Sequence, residues 1–430
     1  MIPESVQNEI AFKSNLNNNL GFILSSFIIA ACMKTKNFFN SLQIWSKRKH
    51  RIVGKYLIPF SAKVGSISTE IFCVDGFAGQ GVYGDGSEGS PLLMAHVADE
   101  AAGRSKPIYL KLINVEAKRR NFEVLREATK PWVDRGIVTN LKGRFDRKIP
   151  EIMSAIGNSP AFVFLDPYGP GPLHLTYLRP LLERSQSITE FIISFNAEGL
   201  RRMAEFLNAD PQTEQFRKAR LTAINNTTEI LGRDRWKQVF SDPLIDAQRR
   251  KKFLVRDYMD TLSQFGYKVV AYPIRQSLGA AAKYYLIYCT RHRDGIFLMN
   301  GLIRREEDEI AKEYYERGPQ NLLFDEVQAE IVSRCQALRN LIATYAEEKK
   351  KLTRRNIMTH FINTKFAQYH DTDYRAAVQQ LIEEGVLATS TGKSRINDDV
   401  VLTYAQPSTQ PIEQNSIFTL SLPVRPKKVF

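Results

Sequence analysis

Short apolar runs alternate with longer segments of helical period through the first two-thirds of the chain. The runs are Ile71-Phe72-Cys73-Val74, then 107–115, 137–141, 161–165, 189–195, 267–274 and 284–290. Strands that alternate with helices form a parallel sheet covered on both faces, so the pattern predicts an α/β fold. Ligands on such sheets sit beyond the carboxyl ends of the strands. Asp75, Glu116 and Asp166 stand at or just past the ends of their runs and Asp146 a few residues beyond the third, which predicts four acids on one rim.

The rhythm lapses after Asn196. From about 196 to 265 helical segments dominate, including Glu198–Leu207 and Gln212–Leu231. An insertion at this point would lie over the carboxyl rim, as a lid or target-recognition cap or as plain packing helices. Two long helices follow, Asp294–Arg317 and Phe324–Lys351, and residues 301–350 are expected to bridge two domains. Beyond them come amphipathic helices at Leu352–Ile362 and Thr372–Glu384. A hairpin then joins Gly385–Thr389 to Val400–Tyr404, turning near Gly392-Lys393. A chain of 430 residues exceeds what one core usually organises, in keeping with two domains. Residues 406–430 read as a flexible tail, its first part rich in Pro, Gln, Ser and Thr.

The apolar run 20–32 is too short to span a bilayer. It is also a poor secretory signal, because Glu4 and Glu9 outweigh Lys13 where a positive start is needed. Met33 resembles an initiation site, so residues 1–32 are read as an extension without a functional role and the protein as cytoplasmic. Cys32, Cys73, Cys289 and Cys335 lack metal or disulfide spacing and read as reduced, buried hydrophobes. The six histidines are isolated, and no metal site is expected.

Charge points to a polyanionic partner such as nucleic acid: the formal net charge is +14. Residues 34–55 carry seven Lys/Arg (Lys34, Lys36, Lys47, Arg48, Lys49, Arg51, Lys55) and no acid. A solvated helix face would look the same. Further cations cluster at Arg249-Arg250-Lys251-Lys252 and in the tail at Arg425, Lys427 and Lys428.

The densest chemical signal is Asp75-Gly76-Phe77-Ala78-Gly79-Gln80-Gly81, a glycine-rich turn leaving the first strand. Glycines there let the backbone approach a bulky ligand closely. This segment resembles the first motif of class I S-adenosylmethionine (SAM)-dependent methyltransferases, in the form found in DNA and RNA base methyltransferases. Asp166-Pro167-Tyr168-Gly169 resembles their Asp-Pro-Pro-Tyr catalytic motif, with the second Pro missing. The wider set resembles the three-Cys-motif partner protein family over roughly residues 40–300. Its matching pieces are Trp45 with a basic helix ending Lys55-Tyr56-Leu57, the glycine turn with Tyr83, Glu88-Gly89-Ser90-Pro91, Phe164 through Gly169, and Tyr284-Tyr285-Leu286 leading to Thr290-Arg291-His292. The usual Phe after Asp-Pro is Tyr168 here.

The resemblance implies a Rossmann-like class I methyltransferase domain at 33–300, SAM as cofactor, and a radical-SAM protein as partner. It assigns cofactor binding to Asp75, Gly76, Phe77, Gly79, Gly81, Glu116 and Asp146. The amides of Gly76, Gly79 and Gly81 would wrap the methionine moiety, Asp75 would take its ammonium directly or through water, Glu116 the ribose hydroxyls and Asp146 the adenine amino group. Asp166, Pro167 and Tyr168 would form the catalytic set, Asp166 orienting a target amine and Tyr168 stacking on a flipped base. Residues 351–405 resemble a winged helix-turn-helix domain, whose second helix would enter the major groove. That stretch is nearly neutral, however: residues 347–404 hold nine Lys/Arg and eight Asp/Glu, with Asp371, Asp373, Glu383 and Glu384 expected to be exposed on the second helix. Two other classes fit the same letters, a SAM- or nucleotide-binding subunit without turnover and a DNA-binding regulator.

Overall fold

In the computed structural model, which describes residues 44–275, 280–316, 323–390 and 397–405, the long-range contacts divide the chain into two units. Of the described residues, 44–275, 280–316, 323–328 and 358–371 belong to the first, and 329–357, 372–390 and 397–405 to the second.

The first unit begins with helix α1 (Ile44–Val64) and strand β1 (Glu70–Asp75). Then come α2 (Ser90–Ala102), β2 (Tyr109–Glu116), α3 (Arg119–Ala128), β3 (Val138–Lys142), α4 (Phe145–Ile156), β4 (Ala161–Leu165), α5 (Leu175–Leu182) and β5 (Thr189–Phe195). Four helices follow, α6 (Ala197–Ala204), α7 (Glu214–Leu231), α8 (Arg235–Ser241) and α9 (Ala247–Ser263), before β6 (Lys268–Ile274), β7 (Tyr284–Thr290) and α10 (Arg293–Glu316). The strands form one sheet in the order β3-β2-β1-β4-β5-β7-β6, parallel from β3 to β5, with β7 antiparallel to both neighbours. This is the α/β architecture expected of the alternating pattern and the Rossmann-like form that the resemblance implied, except that the run 284–290 enters the sheet antiparallel rather than parallel.

The central strands are mainly apolar because both faces are covered, although β5 buries Thr189, Glu190 and Ser194 as well. Every residue of β4 and of β5 is buried. Strand order reverses between β1 and β4, which opens a crevice at their carboxyl ends. Register fixes what stands there. Asp75 pairs with Asn114 on β2 and with Phe164 on β4, so Glu116 and Asp166 each project two residues beyond the level of Asp75.

The helices between β5 and β6 do not stand apart as a cap. Leu200, Ile230, Trp236, Phe240, Leu254 and Tyr258 are buried in the same core as Phe191, Ile193 and Phe195 of β5.

The second unit contains most of α11 (Leu323–Lys349), β8 (Lys351–Thr353), the start of α12 (Arg354–Thr364), nearly all of α13 (Asp371–Glu383), β9 (Leu387–Thr389) and β10 (Val401–Tyr404). Its antiparallel strands lie in the order β8-β10-β9. The expected bridging pair thus divides, with α10 in the first unit and most of α11 in the second. Two acids expected to be exposed on the second helix are engaged: Asp373 faces Arg334 and Glu384 pairs with Arg339. The hairpin turn at Gly392-Lys393, the extension 1–32 and the tail 406–430 lie outside the described residues. Among the described residues no helix is long and apolar enough to cross a membrane.

Candidate active site

The crevice at the strand reversal holds a cavity of about 620 Å³, within the usual range of small-molecule sites. Its floor is the glycine turn. Gly79 and Gly81 have φ of +65° and +74°, a backbone that side-chain-bearing residues rarely adopt. At Gly76 a Cβ would stand 2.7 Å from Leu165 and 2.9 Å from Phe145, so only glycine lets the turn pack against β4 and α4.

Asp75 does not line the cavity but lies one layer beneath it, fully buried. Its Oδ1 accepts the Phe77 amide at 3.1 Å, and its Oδ2 has no hydrogen-bond partner. Burial pushes this carboxyl up to about 7 against the pull of the Ser90 hydroxyl and the Phe77 amide, with Asp166 and Glu116 adding to the rise. The turn amides are largely consumed by the protein itself. Gly76 N–H donates to Phe164 O, Ala78 N–H to Val115 O and Gly79 N–H to Glu116 Oε2, each at 3.0 Å. The expectation that the amides of Gly76 and Gly79 face a ligand is therefore corrected, because β4 and Glu116 already take them. The Gly81 carbonyl accepts Gly89 N–H at 2.7 Å, closing the loop onto α2.

Glu116 does line the cavity. Besides Gly79, it accepts Lys118 N–H at 2.6 Å and Asn121 Nδ2 at 3.5 Å. With about four acceptor sites on a carboxylate, these three donors leave room for one more. Burial raises the Glu116 pKa, opposed by the same donors. Asp146 stands in the first turn of α4 at the opposite side of the floor, gripped by Arg144 at 2.9 and 3.2 Å, and its pKa falls under that hydrogen-bonded cation despite some burial. Phe77, Gly79, Gly81, Glu116, Asp146, Asp166, Pro167 and Tyr168 all meet this one cavity.

The wall above β4 contains what sequence reading passed over. Lys49, only 3% exposed, places Nζ 2.6 Å from both carboxylate oxygens of Asp166 and 3.3 Å from Ser194 Oγ, with the ring of Tyr284 4.7 Å away. Trp45, Ser46, Lys49 and His50 share one face of α1 and turn it toward the cavity. That i, i+1, i+4, i+5 spacing was readable, but a basic run reads equally well as solvent-facing. His50 is buried, its Nδ1 has no hydrogen-bond partner, and desolvation lowers its pKa to about 4, with Asp166 opposing. Tyr168 stands at the mouth, 61% exposed, while Pro167 is buried. His174 and Tyr177 stack at 5.1 Å on the far side. Among the described residues of the α6–α9 insertion, only Asn226 reaches the lining.

Apart from the exposed Lys47, most of the remaining cations of α1 are also committed. Arg51 and Lys55 pair with Glu306 and Glu309 of α10, and Arg48 donates to the carbonyl of Arg275 at 2.6 Å. Lys34 and Lys36 lie outside the described residues. In the second cluster, Arg250 bonds Glu205 and Asp242 O, and Lys251 is buried.

No protein-family profile and no curated protein matches the chain. Solved structures show loose likeness. An O-methyltransferase from Bacillus cereus in complex with SAH shares 11% identity over 62% of this chain and 89% of its own, with a TM-score of 0.31. TomG, an O-methyltransferase from Streptomyces achromogenes solved with SAM, shares 11% over 61% and 96%, with a TM-score of 0.30. A putative O-methyltransferase from Klebsiella pneumoniae shares 16% over 58% and 88%, with a TM-score of 0.29. Superpositions this loose carry no residue roles across, and the reading of the site rests on its own geometry.

Proposed function

We propose that the protein is a SAM-dependent methyltransferase acting on a nucleic acid or nucleotide-like acceptor. The observation that carries this reading is the convergence, in one cavity at the strand reversal, of a positive-φ glycine turn, the Glu116 carboxylate after β2 and Asp166-Pro167-Tyr168 after β4. The residues fit such a cofactor. Glu116 keeps an acceptor site for a ribose hydroxyl, and Asp75, whose Oδ2 has no hydrogen-bond partner, carries negative charge under the turn once pH exceeds about 7, where an ammonium would be welcome through water. Bound SAM would supply an already activated methyl group, leaving positioning and proton handling to the protein. Asp166 and Lys49 would orient the acceptor, and the exposed ring of Tyr168 would offer a base a stacking surface. The second unit, with its helices and three-stranded sheet, is read as a winged helix-turn-helix-like module that contacts nucleic acid or the radical-SAM partner.

Calorimetry with SAM and its demethylated product against ATP and NAD, followed by labelled-methyl transfer to total RNA, DNA and protein, tests this. SAM binding with transfer to one acceptor class supports it; preference for another nucleotide overturns it. One observation favours a second reading, a SAM-binding subunit without turnover: both oxygens of Asp166 are held by Lys49. Tight SAM binding with no transfer in the presence of the partner would select that reading.

A further inference from the structure

Two segments quoted for the family resemblance, Lys55-Tyr56-Leu57 and Thr290-Arg291-His292, take no part in the site above. They meet at the opposite rim of the sheet. There a second cavity of about 630 Å³ lies between the carboxyl-terminal half of α1, the start of β5 and the turn from β7 into α10. Phe60, Val64, Ile67 and Leu298 give it apolar walls, and Ile67 is 70% exposed.

Glu190 contributes to the lining and is only 5% exposed. Its Oε2 accepts Tyr56 Oη at 2.6 Å and Tyr288 Oη at 3.0 Å, and its Oε1 accepts Thr290 Oγ1 at 2.6 Å. Three hydroxyl donors supply hydrogen bonds but no positive charge, and no ion pair to Glu190 occurs among the described residues. A buried carboxylate without a counter-charge is costly. Two cations share the lining without pairing with Glu190: Arg291 keeps its charge but donates to the carbonyls of Leu182, Arg184 and Phe265, and Lys63 pairs with Asp294. His292 is exposed, and burial raises the Glu190 pKa against the pull of its three hydroxyl donors, so an added positive charge would favour the carboxylate. Gly295 packs against this network: a Cβ there would collide with Tyr288 Oη and stand 3.1 Å from both Glu190 Oε1 and Thr290 Oγ1.

We propose that this second cavity binds a small organic cation, an ammonium group on an apolar body, with Glu190 as its counter-charge. The ammonium would add the charge the hydroxyls cannot, and Tyr56 and Phe60 would present aromatic surface beside it. The apolar body would cover the wall that ends at Ile67. This assignment is independent of the chemistry at the first cavity.

The test uses the full chain and phenethylammonium chloride as the probe, with 2-phenylethanol and 3-phenylpropionate as neutral and anionic comparators, read by calorimetry and ligand-observed NMR. Phenethylammonium should bind at least about tenfold more tightly than the alcohol, and the propionate not at all. Glu190→Gln should erase that preference. Leu298→Trp fills the cavity without touching the hydroxyl network and should abolish binding of amine and alcohol alike. Equal binding of amine and alcohol to the wild type, a preference surviving in Glu190→Gln, or undiminished amine affinity in Leu298→Trp would each overturn the assignment.

Discussion

Asp75→Asn should make the protein more stable and a poorer binder at once. The carboxyl is fully buried and rises to about 7 from an ordinary value of 3.8. Below 3.8 both folded and unfolded states hold the proton, and the group contributes nothing to pH dependence. Between 3.8 and 7 the unfolded chain has lost the proton and the folded one keeps it, so stability falls as pH rises. Above 7 the full cost is reached, about 4 kcal/mol from the size of the shift as an upper bound. Asn keeps an oxygen for the Phe77 amide and replaces Oδ2, which has no hydrogen-bond partner, by a neutral amide nitrogen. Urea unfolding of variant and wild type from pH 4 to pH 8 isolates the difference. The gain should grow with pH, from near zero at pH 4 to a few kcal/mol at pH 8. A parallel pair of pH profiles, or a variant less stable at pH 8, would refute the reasoning. Above pH 7, where the wild-type carboxyl is charged, SAM affinity should fall in the same variant, since that charge beneath the turn is gone.

Replacing Gly79 by Val forces a β-branched residue into φ +65° and should abolish SAM binding, at a stability cost of about 1–3 kcal/mol visible in the urea midpoint. Lys49→Met leaves Asp166, partly buried, without its cation and should cost about 1–3 kcal/mol; an unchanged midpoint would show the pair to be idle. Asp166→Asn should cut methyl transfer by orders of magnitude while calorimetric SAM affinity changes little, and full activity would remove Asp166 from the reaction. The folded-state pKa of His50, about 4, lies below its ordinary 6.5, so its stabilising contribution is present above 6.5 and lost as pH falls toward 4. His50→Phe should flatten that limb of the wild-type profile by up to about 3 kcal/mol.

The sheet was legible because burial on both faces writes itself as uninterrupted apolar letters, as in Phe162-Val163-Phe164-Leu165 and Phe191-Ile192-Ile193. The turn was legible because positive φ at Gly79 and Gly81 restricts residue type. Depth was not: nothing in the letters distinguishes Asp75, sealed beneath the cavity, from Glu116, which lines it. The difference comes from register, which sets Glu116 two residues further along the rim. Pairing was not legible either. The cations of α1 read as a face for phosphates, yet Arg51 and Lys55 meet Glu306 and Glu309, about 250 residues away in the chain, a contact that only tertiary packing creates.

The same helix decides what the first cavity can do. Lys49 is buried among Asp166, Ser194 and Tyr284 because α1 crosses the carboxyl rim, whereas Arg51 and Lys55, further along the same helix, reach α10. A lysine so placed neutralises Asp166, so an acceptor approaching that carboxylate must share it with Nζ or displace it. Net charge therefore overstates the pull this region exerts on a polyanion, since counterion release needs cations free to meet phosphate. If nucleic acid is the acceptor, selection must fall on the exposed ring of Tyr168 and on the shape of the cavity mouth more than on a basic track along α1.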